Sequence, residues 1–191
     1  MNSKQMIIGG IASIATLAGT ASGEFLIEID LTVENEITMT ALSGASSETV
    51  AFGDLTGVYF VDFFGNTSGG LGSTLVSGDL TTFGDPTDDT PSLFRGNVGG
   101  VADPGLNLWS FSSLSEVQVT AGQQAFEGSA TWTLSADTYA NMLAGSMMGD
   151  ILAGADTVDD AGVLIGQYTV VPAPGVLAVL GLAGLAGRRR R

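Results

Sequence analysis

The chain has 191 residues, a net charge of −14, no cysteine and no histidine. Without those two residue types, disulfides, thiol nucleophiles, Ser–His dyads and the usual zinc sites are excluded. All twenty acidic residues lie between Glu24 and Asp160, where Arg95 is the only basic residue, so this stretch carries a net charge of −19. A surface so uniformly negative repels nucleic acid, and DNA or RNA binding is therefore not expected.

Residues 1–23 have the form of a secretory signal peptide. Lys4 supplies a positive start, residues 6–18 are mostly apolar, and small residues follow them. Cleavage after Ala21 or after Gly23 fits this pattern. The alternative is an N-terminal membrane helix that is retained, but two glycines interrupt its short apolar core. The sequence therefore predicts an exported protein.

Residues 24–170 mostly alternate between apolar and polar side chains, which is the period of half-buried β-strands. The predicted strands are 25–33, 37–41, 49–55, 58–64, 75–83, 106–111, 116–120, 125–134, 151–153 and 163–170. One helix is predicted at 136–144, with Ser135 as its N-cap and Gly145 at its end. Residues 84–105 show no periodicity. Short strands, glycine-rich turns and one short helix predict an all-β fold, an antiparallel β-sandwich or jelly-roll-like domain.

Two acidic clusters in predicted loops are candidate calcium sites, because closely spaced carboxylates can supply several oxygen ligands to Ca²⁺. One cluster contains Asp85, Asp88 and Asp89, and the other contains Asp156, Asp159 and Asp160. Neither matches the EF-hand spacing, and solvated loop carboxylates are the commoner explanation of such clusters. The sequence indicates no required cofactor, and Ca²⁺ is the one ion that it suggests.

Two carboxylates on predicted strands, Glu116 and Glu127, could form the acid pair of a glycoside hydrolase. Each occupies a polar position of an alternating strand, where a side chain normally faces solvent. The expectation is therefore that the protein is not an enzyme.

Three aromatic residues, Tyr59, Trp109 and Trp132, could present their rings to a carbohydrate, as exposed aromatic side chains of β-sandwiches often do. Each of them also fits the apolar pattern of a core residue. A sugar-binding face and a packed core are both compatible with these positions.

Residues 171–191 contain three segments in a fixed order. The first holds two prolines, which lack backbone donors and interrupt regular structure: Val171, Pro172, Ala173, Pro174 and Gly175. The second, residues 176–187, is an uncharged run that would form a helix of about 18 Å, short for a hydrocarbon core of about 30 Å. The third is a basic cluster, which stays on the cytoplasmic side of a membrane: Arg188, Arg189, Arg190 and Arg191.

This tail resembles the PEP-CTERM sorting signal of Gram-negative-type bacteria, in which a Pro-Glu-Pro-like motif precedes a hydrophobic helix and an arginine cluster. Pro172, Ala173 and Pro174 stand at the motif, with Ala173 where the family has glutamate. The resemblance implies recognition by exosortase, a membrane-embedded cysteine protease, and a setting of exopolysaccharide and biofilm production. The alternatives are a tail anchor that is never cleaved, or an apolar segment of the folded domain.

These patterns predict three parts: a signal peptide at 1–23, an acidic β-rich domain at 24–170 and a sorting signal at 171–191. The predicted function is a structural or adhesive role at the cell surface, in the outer envelope or in the extracellular matrix, reached through an inner-membrane intermediate. A carbohydrate- or calcium-binding module is the alternative, and a glycoside hydrolase is third. The expected partners are signal peptidase, exosortase and the membrane, with an extracellular polysaccharide as a further candidate.

Overall fold

A computed structural model of the chain describes residues 23–85 and 90–173. Of these residues, 46% lie in strands and 5% in one helix, so the predicted all-β class is confirmed. The predicted signal peptide up to residue 22, the tail from Pro174 onward, and both Asp88 and Asp89 lie outside the described residues. Within the described ranges, no helix is long and apolar enough to cross a membrane.

The described chain forms fifteen strands and one helix: β1 (Phe25–Asp30), β2 (Glu36–Ala41), β3 (Val50–Gly53), β4 (Val58–Phe60), β5 (Ser73–Gly78), β6 (Thr81–Thr82), β7 (Ser92–Phe94), β8 (Asn97–Val98), β9 (Val101–Ala102), β10 (Leu106–Trp109), β11 (Glu116–Val119), β12 (Phe126–Glu127), β13 (Ser129–Leu134), α1 (Ala136–Leu143), β14 (Met148–Ala153) and β15 (Val163–Val171). Nine strands form one sheet in the order β5-β13-β2-β1-β15-β14-β4-β10-β7. The other six form three two-stranded sheets, β3 with β11, β6 with β12 and β8 with β9.

The nine-stranded sheet curls until its two edge strands come close to each other. A cavity of about 110 Å³ is lined by Leu75 of β5, Leu93 of β7 and Trp132 of β13. The indole Nε1 of Trp132 donates a hydrogen bond to the carbonyl of Pro91, just before β7, at 3.1 Å. The result is one large, nearly closed sheet. Its hydrogen bonding does not divide it into two facing sheets, and the sandwich or jelly-roll assignment is not confirmed.

The first and last strands of the described region, β1 and β15, pair in parallel, whereas the other described strand pairs are antiparallel. Phe25 stands opposite Gln167, and Asp30 stands opposite Val171. Parallel strands run in the same direction, so the chain enters this sheet at one end of the pair and leaves it at the other. Val171, which the sequence placed in the sorting motif, is the last residue of β15, and Pro172 follows outside regular structure.

The core inside the curled sheet is rich in aromatic side chains. Phe60, Phe63 and Tyr168 are buried and pack edge-to-face, with ring centroids 5.6 to 6.5 Å apart. The hydroxyl of Tyr168 donates to the carbonyl of Val61 at 2.8 Å, so the polar end of this buried ring is satisfied.

Helix α1 begins at the predicted cap. The Oγ of Ser135 accepts a hydrogen bond from the backbone N–H of Thr138 at 3.3 Å, as an N-cap side chain does. Tyr139 and Met142 point into the core. The hydroxyl of Tyr139 donates to the carbonyl of Leu31 at 2.7 Å, which fixes the helix against the end of β1.

Glycines divide two of the predicted strands. The predicted strand 75–83 is interrupted at Gly78, with φ of +116°, and the predicted strand 125–134 at Gly128, with φ of +83°. At Gly78 a Cβ would lie 2.2 Å from the carbonyl oxygen of Ser129. Only glycine fits such a position, because it has neither a Cβ nor the restriction to negative φ.

The predicted strand 58–64 is also shorter than expected. Asp62 has φ of +54° and turns the chain after β4, so Phe63 and Phe64 reach the core from a turn. Residues 84–105, predicted to lack periodicity, contain the short strands β7, β8 and β9. Strands of two or three residues are too short to establish an alternating pattern.

Candidate functional site

The structure buries two of the three aromatic side chains that the sequence suggested as sugar contacts. Tyr59 and Trp132 are each 1% exposed, and both use their polar atoms inside the protein, on Asp103 and Pro91 respectively. Trp109, the last residue of β10, is half-buried and lines an open pocket.

This pocket has a volume of about 200 Å³ and is lined by Leu55, Phe94, Asn107, Trp109 and Asp156, which we call the aromatic pocket. Phe94 is 44% exposed and Leu55 is 76% exposed. The pocket therefore presents two aromatic rings, an aliphatic side chain and a carboxylate around one concave surface. Apolar surface next to a few convergent polar groups is the usual composition of a ligand site.

The pairing of β7 with β10 brings three of these side chains to one face of the sheet. Phe94 stands directly opposite Asn107, and Trp109 lies two residues further along β10. Because side chains alternate between the faces of a strand, all three project to the same side. Leu93 and Leu108, the intervening residues, are buried on the other side.

Asn107 joins the two loops that complete the aromatic pocket. Its side chain is 2% exposed, and its Nδ2 donates to the carbonyl of Thr56 at 2.7 Å and to the carbonyl of Ala155 at 3.0 Å. Thr56 follows Leu55, and Ala155 precedes Asp156. One buried amide therefore fixes both loops relative to β10.

The loop that carries Leu55 packs closely against β10. The N–H of Gly57 donates to the carbonyl of Gly53 at 2.9 Å, which closes a tight turn with Leu55 inside it. Gly57 has φ of +70°, and a Cβ there would lie 2.0 Å from the carbonyl oxygen of Leu108. The absence of a side chain at Gly57 lets the turn reach the strand.

The loop that carries Asp156 is ordered by a second carboxylate. The Oδ2 of Asp160 accepts hydrogen bonds from the N–H of Asp156 at 3.0 Å, from the N–H of Thr157 at 2.8 Å and from the hydroxyl of Thr157 at 2.9 Å. These donors hold the pKa of Asp160 below its ordinary value, since they stabilise the charged form. Asp160 thus works as a cap for its own loop.

The carboxylate of Asp156 is in the opposite situation. Its Oδ1 is buried and has no hydrogen-bond partner among the described residues. Burial raises the pKa of Asp156 above its ordinary value, and the nearby charge of Asp160 raises that pKa further. An unsatisfied buried polar atom costs about 1–3 kcal/mol of folding free energy. A positive charge bound in the aromatic pocket near this carboxylate would offset part of the cost of burying its negative charge.

A buried carboxylate, Asp103, connects this loop to the rest of the protein. Asp103 is 0% exposed. Its Oδ1 accepts from the hydroxyl of Tyr59 and from the N–H of Gly105, and its Oδ2 accepts from the N–H of Val158 at 2.9 Å. Its backbone carbonyl accepts from the Nε of Arg95 at 2.7 Å. Burial and the adjacent Asp103 carboxylate together raise the pKa of Tyr59 well above its ordinary value.

Arg95 is itself buried and fully engaged. Its guanidinium carbon lies 3.8 Å from the centroid of the Phe64 ring, a cation–π geometry. Its terminal nitrogens donate to the carbonyls of Asn66 and Ser68. The sequence identified Arg95 only as the sole base of the acidic stretch. In the structure, the Arg95 side chain links internal segments through these contacts and is not available to a ligand.

Of the six aspartates proposed as calcium ligands, Asp88 and Asp89 lie outside the described residues. In the part of the chain that the structure describes, no group of three or more potential ligands is arranged to hold a metal ion. Asp85 is buried and accepts hydrogen bonds from Ser112 and Ser113, and Asp159 is exposed. The calcium hypothesis therefore stays a prediction.

The two glutamates of the hydrolase hypothesis lie outside the aromatic pocket. Glu116 is exposed on β11, and the Oε1 of Glu127 accepts a hydrogen bond from the N–H of Gly84 at 2.8 Å. The hydrolase hypothesis also stays a prediction.

A larger cleft of about 590 Å³ lies between residues 66–72 and the first turns of α1. It has no aromatic lining, and its amides bond to each other. The Oδ1 of Asn141 accepts from the N–H of Asn66 at 3.0 Å, and the Nδ2 of Asn141 donates to the Oδ1 of Asn66 at 3.1 Å. With its amides already satisfied, this cleft is the weaker candidate for a binding site.

The unsatisfied carboxylate leads to a prediction about stability. We expect Asp156→Asn to raise the free energy of unfolding at neutral pH by about 1 kcal/mol, because a neutral amide is less costly to bury without a partner than a carboxylate. A raised folded pKa means that the penalty is absent in acid and grows as the pH rises through that pKa. The gain should therefore disappear below about pH 4. Urea denaturation across this pH range measures it. Asp159→Asn, an exposed change in the same loop, is the control, and equal effects of the two variants would contradict the prediction.

For the buried carboxylate of Asp103 we expect the opposite effect on stability. We expect Asp103→Asn to lower the free energy of unfolding by about 2–4 kcal/mol, because an amide N–H₂ would then face one of the donors that Asp103 now accepts. Thermal and urea denaturation measure the loss. Asp62→Asn removes an exposed carboxylate at a positive φ that asparagine tolerates, and should change stability by less than about 0.5 kcal/mol. A similar small effect of Asp103→Asn would show that this contact is dispensable.

No family model, no curated protein and no solved structure matches this chain. Its function therefore has to be argued from the residues of the site.

Proposed function

We propose that the protein is an exported, exosortase-sorted component of the cell envelope or extracellular matrix, with a structural or adhesive role, and that it holds polysaccharide at the aromatic pocket. The observation that carries the binding part is that exposed Phe94 and half-buried Trp109 line one pocket together with Asp156. The export and sorting parts rest on the signal-like pattern of residues 1–23 and on the tail at 171–191.

Carbohydrate fits the aromatic pocket better than a purely apolar ligand does. Sugar rings have C–H faces that pack on aromatic rings, and hydroxyl groups around their edges that donate to carboxylates. Phe94 and Trp109 offer the first kind of contact, and Asp156 offers the second. A volume of about 200 Å³ suits one or two sugar units of a longer polymer. Such a shallow site binds weakly alone, and many copies held together on one surface would bind a single polymer with higher avidity.

The scaffold suits a role outside the cell. The aromatic pocket is built on the β7–β10 pair and on two loops fixed by Asn107, so its rings are held in place without a disulfide. We propose that the curled sheet is a β-sandwich or jelly-roll-like variant, in which the two halves of one sheet face each other across the core.

The end of β15 is favourable for processing of the tail. Val171 is the last strand residue, and Pro172 and Ala173 follow it, half-exposed and outside regular structure. A protease needs an extended and accessible segment, and Pro172 and Ala173 begin one directly after the last strand. Sorting would then remove the tail without disturbing the sheet.

The sugar-binding proposal is tested by paired aromatic substitutions. We expect Phe94→Ala and Trp109→Ala each to weaken binding to the preferred glycan by about tenfold or more, which corresponds to about 1.4 kcal/mol of lost stacking. A glycan array identifies the glycan, and calorimetry on the purified protein measures the affinity. Phe83→Ala removes a ring that is 54% exposed outside the aromatic pocket and is the matched control. Equal binding by all three variants would reject the aromatic pocket as the site.

The sorting proposal is tested by intact-mass spectrometry of the protein recovered from the native cell surface. We expect a mass that lacks the first 21 or 23 residues and also lacks the hydrophobic run with its arginine cluster. A chain that keeps its arginines but has lost its leader would instead indicate a permanent tail anchor. A full-length chain recovered from the cytosol would contradict the whole export proposal.

A further inference from the structure

We propose that the ligand of the aromatic pocket is an amino sugar with a free ammonium group, in a polymer of deacetylated hexosamine units, rather than a neutral or acidic sugar. This inference rests on the proposed carbohydrate function and names the class of sugar. It is carried by three observations: the unpartnered Oδ1 of Asp156, the engagement of Arg95 elsewhere, and the two aromatic rings that line the pocket.

The charge of the protein selects against acidic sugars. The stretch from Glu24 to Asp160 carries twenty carboxylates and one base, Arg95. Arg95 is 7% exposed, stacks on Phe64 and donates to backbone carbonyls, so it cannot meet a carboxylate or sulfate on a ligand. An acidic sugar in the aromatic pocket would face Asp156 with no compensating cation among the described residues, and like charges placed together are strongly unfavourable.

The local hydrogen bonding selects for a charged donor. Asp156 and Asp160 lie four residues apart in one loop, but their carboxylates differ in hydrogen bonding. Asp160 accepts three hydrogen bonds from its own loop, whereas the buried Oδ1 of Asp156 accepts none from the described residues. Because this Oδ1 has almost no accessible surface, a ligand in the aromatic pocket would meet Asp156 at its other carboxylate oxygen. A neutral hydroxyl there would supply one donor and leave the negative charge uncompensated. An ammonium group supplies up to three donors and the opposite charge, and charge-assisted hydrogen bonds are roughly twice as strong as neutral ones.

The rings of Trp109 and Phe94 also favour an ammonium group on the ligand. A cation over the face of an aromatic ring gains electrostatic attraction, most strongly with tryptophan. The protein already uses this contact internally, where Arg95 lies over Phe64 at 3.8 Å. In the aromatic pocket, Trp109 and Phe94 share one face of the sheet with Asp156 beside them. A sugar ring that stacked on one of these side chains would place an amine substituent between an aromatic face and a carboxylate.

N-acetylation provides a sharp discrimination, since it removes the charge and adds bulk without changing the rest of the ring. A glucosamine oligomer and its fully N-acetylated form are therefore matched probes. A uronic acid oligomer of equal length tests the opposite charge. Oligolysine tests whether charge alone is sufficient.

The experiment measures the affinity of the purified, exported protein for these four probes by calorimetry. We expect the glucosamine oligomer to bind at least tenfold more tightly than its N-acetylated form, and the uronic acid oligomer not to bind. Added salt should weaken glucosamine binding, because both partners are charged. Asp156→Asn should remove most of the preference for the free amine, while Asp159→Asn should keep it. Phe94→Ala should weaken binding to both hexosamine oligomers, and Phe83→Ala should not.

The outcomes separate this inference from the proposed function. Equal or tighter binding of the N-acetylated oligomer would overturn the inference and leave the carbohydrate site intact. Binding of none of the sugars would overturn both. Oligolysine binding as tightly as the glucosamine oligomer, or an unchanged preference in Asp156→Asn, would show that overall charge rather than the aromatic pocket selects the amine, and would also overturn the inference.

Discussion

The arrangement of the described region depends on one buried carboxylate. Asp103 accepts hydrogen bonds from Tyr59 on β4, from Gly105 just before β10 and from Val158 in the loop after β14. Arg95, just after β7, donates to the backbone of the same residue. Tyr59 and Val158 are distant from Asp103 in sequence, and in a chain without cysteine no disulfide joins their segments. A fully satisfied buried polar network specifies one arrangement, because any other packing would leave its charges without partners. The position of the loop that carries Asp156 therefore follows from Asp103.

The same region also contains a local violation of that rule. Both carboxylate oxygens of Asp103 accept hydrogen bonds, but the Oδ1 of Asp156 is buried and accepts none from the described residues. Folded proteins keep such unfavourable positions mainly where function compensates for them. Two aromatic rings line the pocket beside Asp156, and the one base of residues 23–85 and 90–173, Arg95, is engaged elsewhere. Both features favour a ligand that brings its own positive charge. The carboxylate of Asp156 is then expected to lower the stability of the fold and to strengthen ligand binding.

Much of the fold could be predicted from periodicity, and little of the site could. Alternating residues located most of the strands, and the Ser135 cap located the helix, because these are local signals. The parallel pairing of β1 with β15 could not be predicted, since it joins the two ends of the described region. The sequence suggested Trp109 and Asp156 for separate reasons and could not bring them together. Phe94 lies in a segment without periodicity, and Asn107 is hidden in an apolar run. Asp103 resembled nineteen other acids in the sequence, and its complete burial and its hydrogen bonds to distant segments distinguish it.

The most direct measurement is a crystal structure of the exported protein with a bound glucosamine oligosaccharide. We expect one sugar ring to stack on Trp109 or Phe94, with its amine nitrogen within about 3 Å of the Asp156 carboxylate, and Val158 still bonded to Asp103. A sugar bound instead in the cleft between residues 66–72 and α1, or one whose amine points away from Asp156 into solvent, would contradict this description of the site.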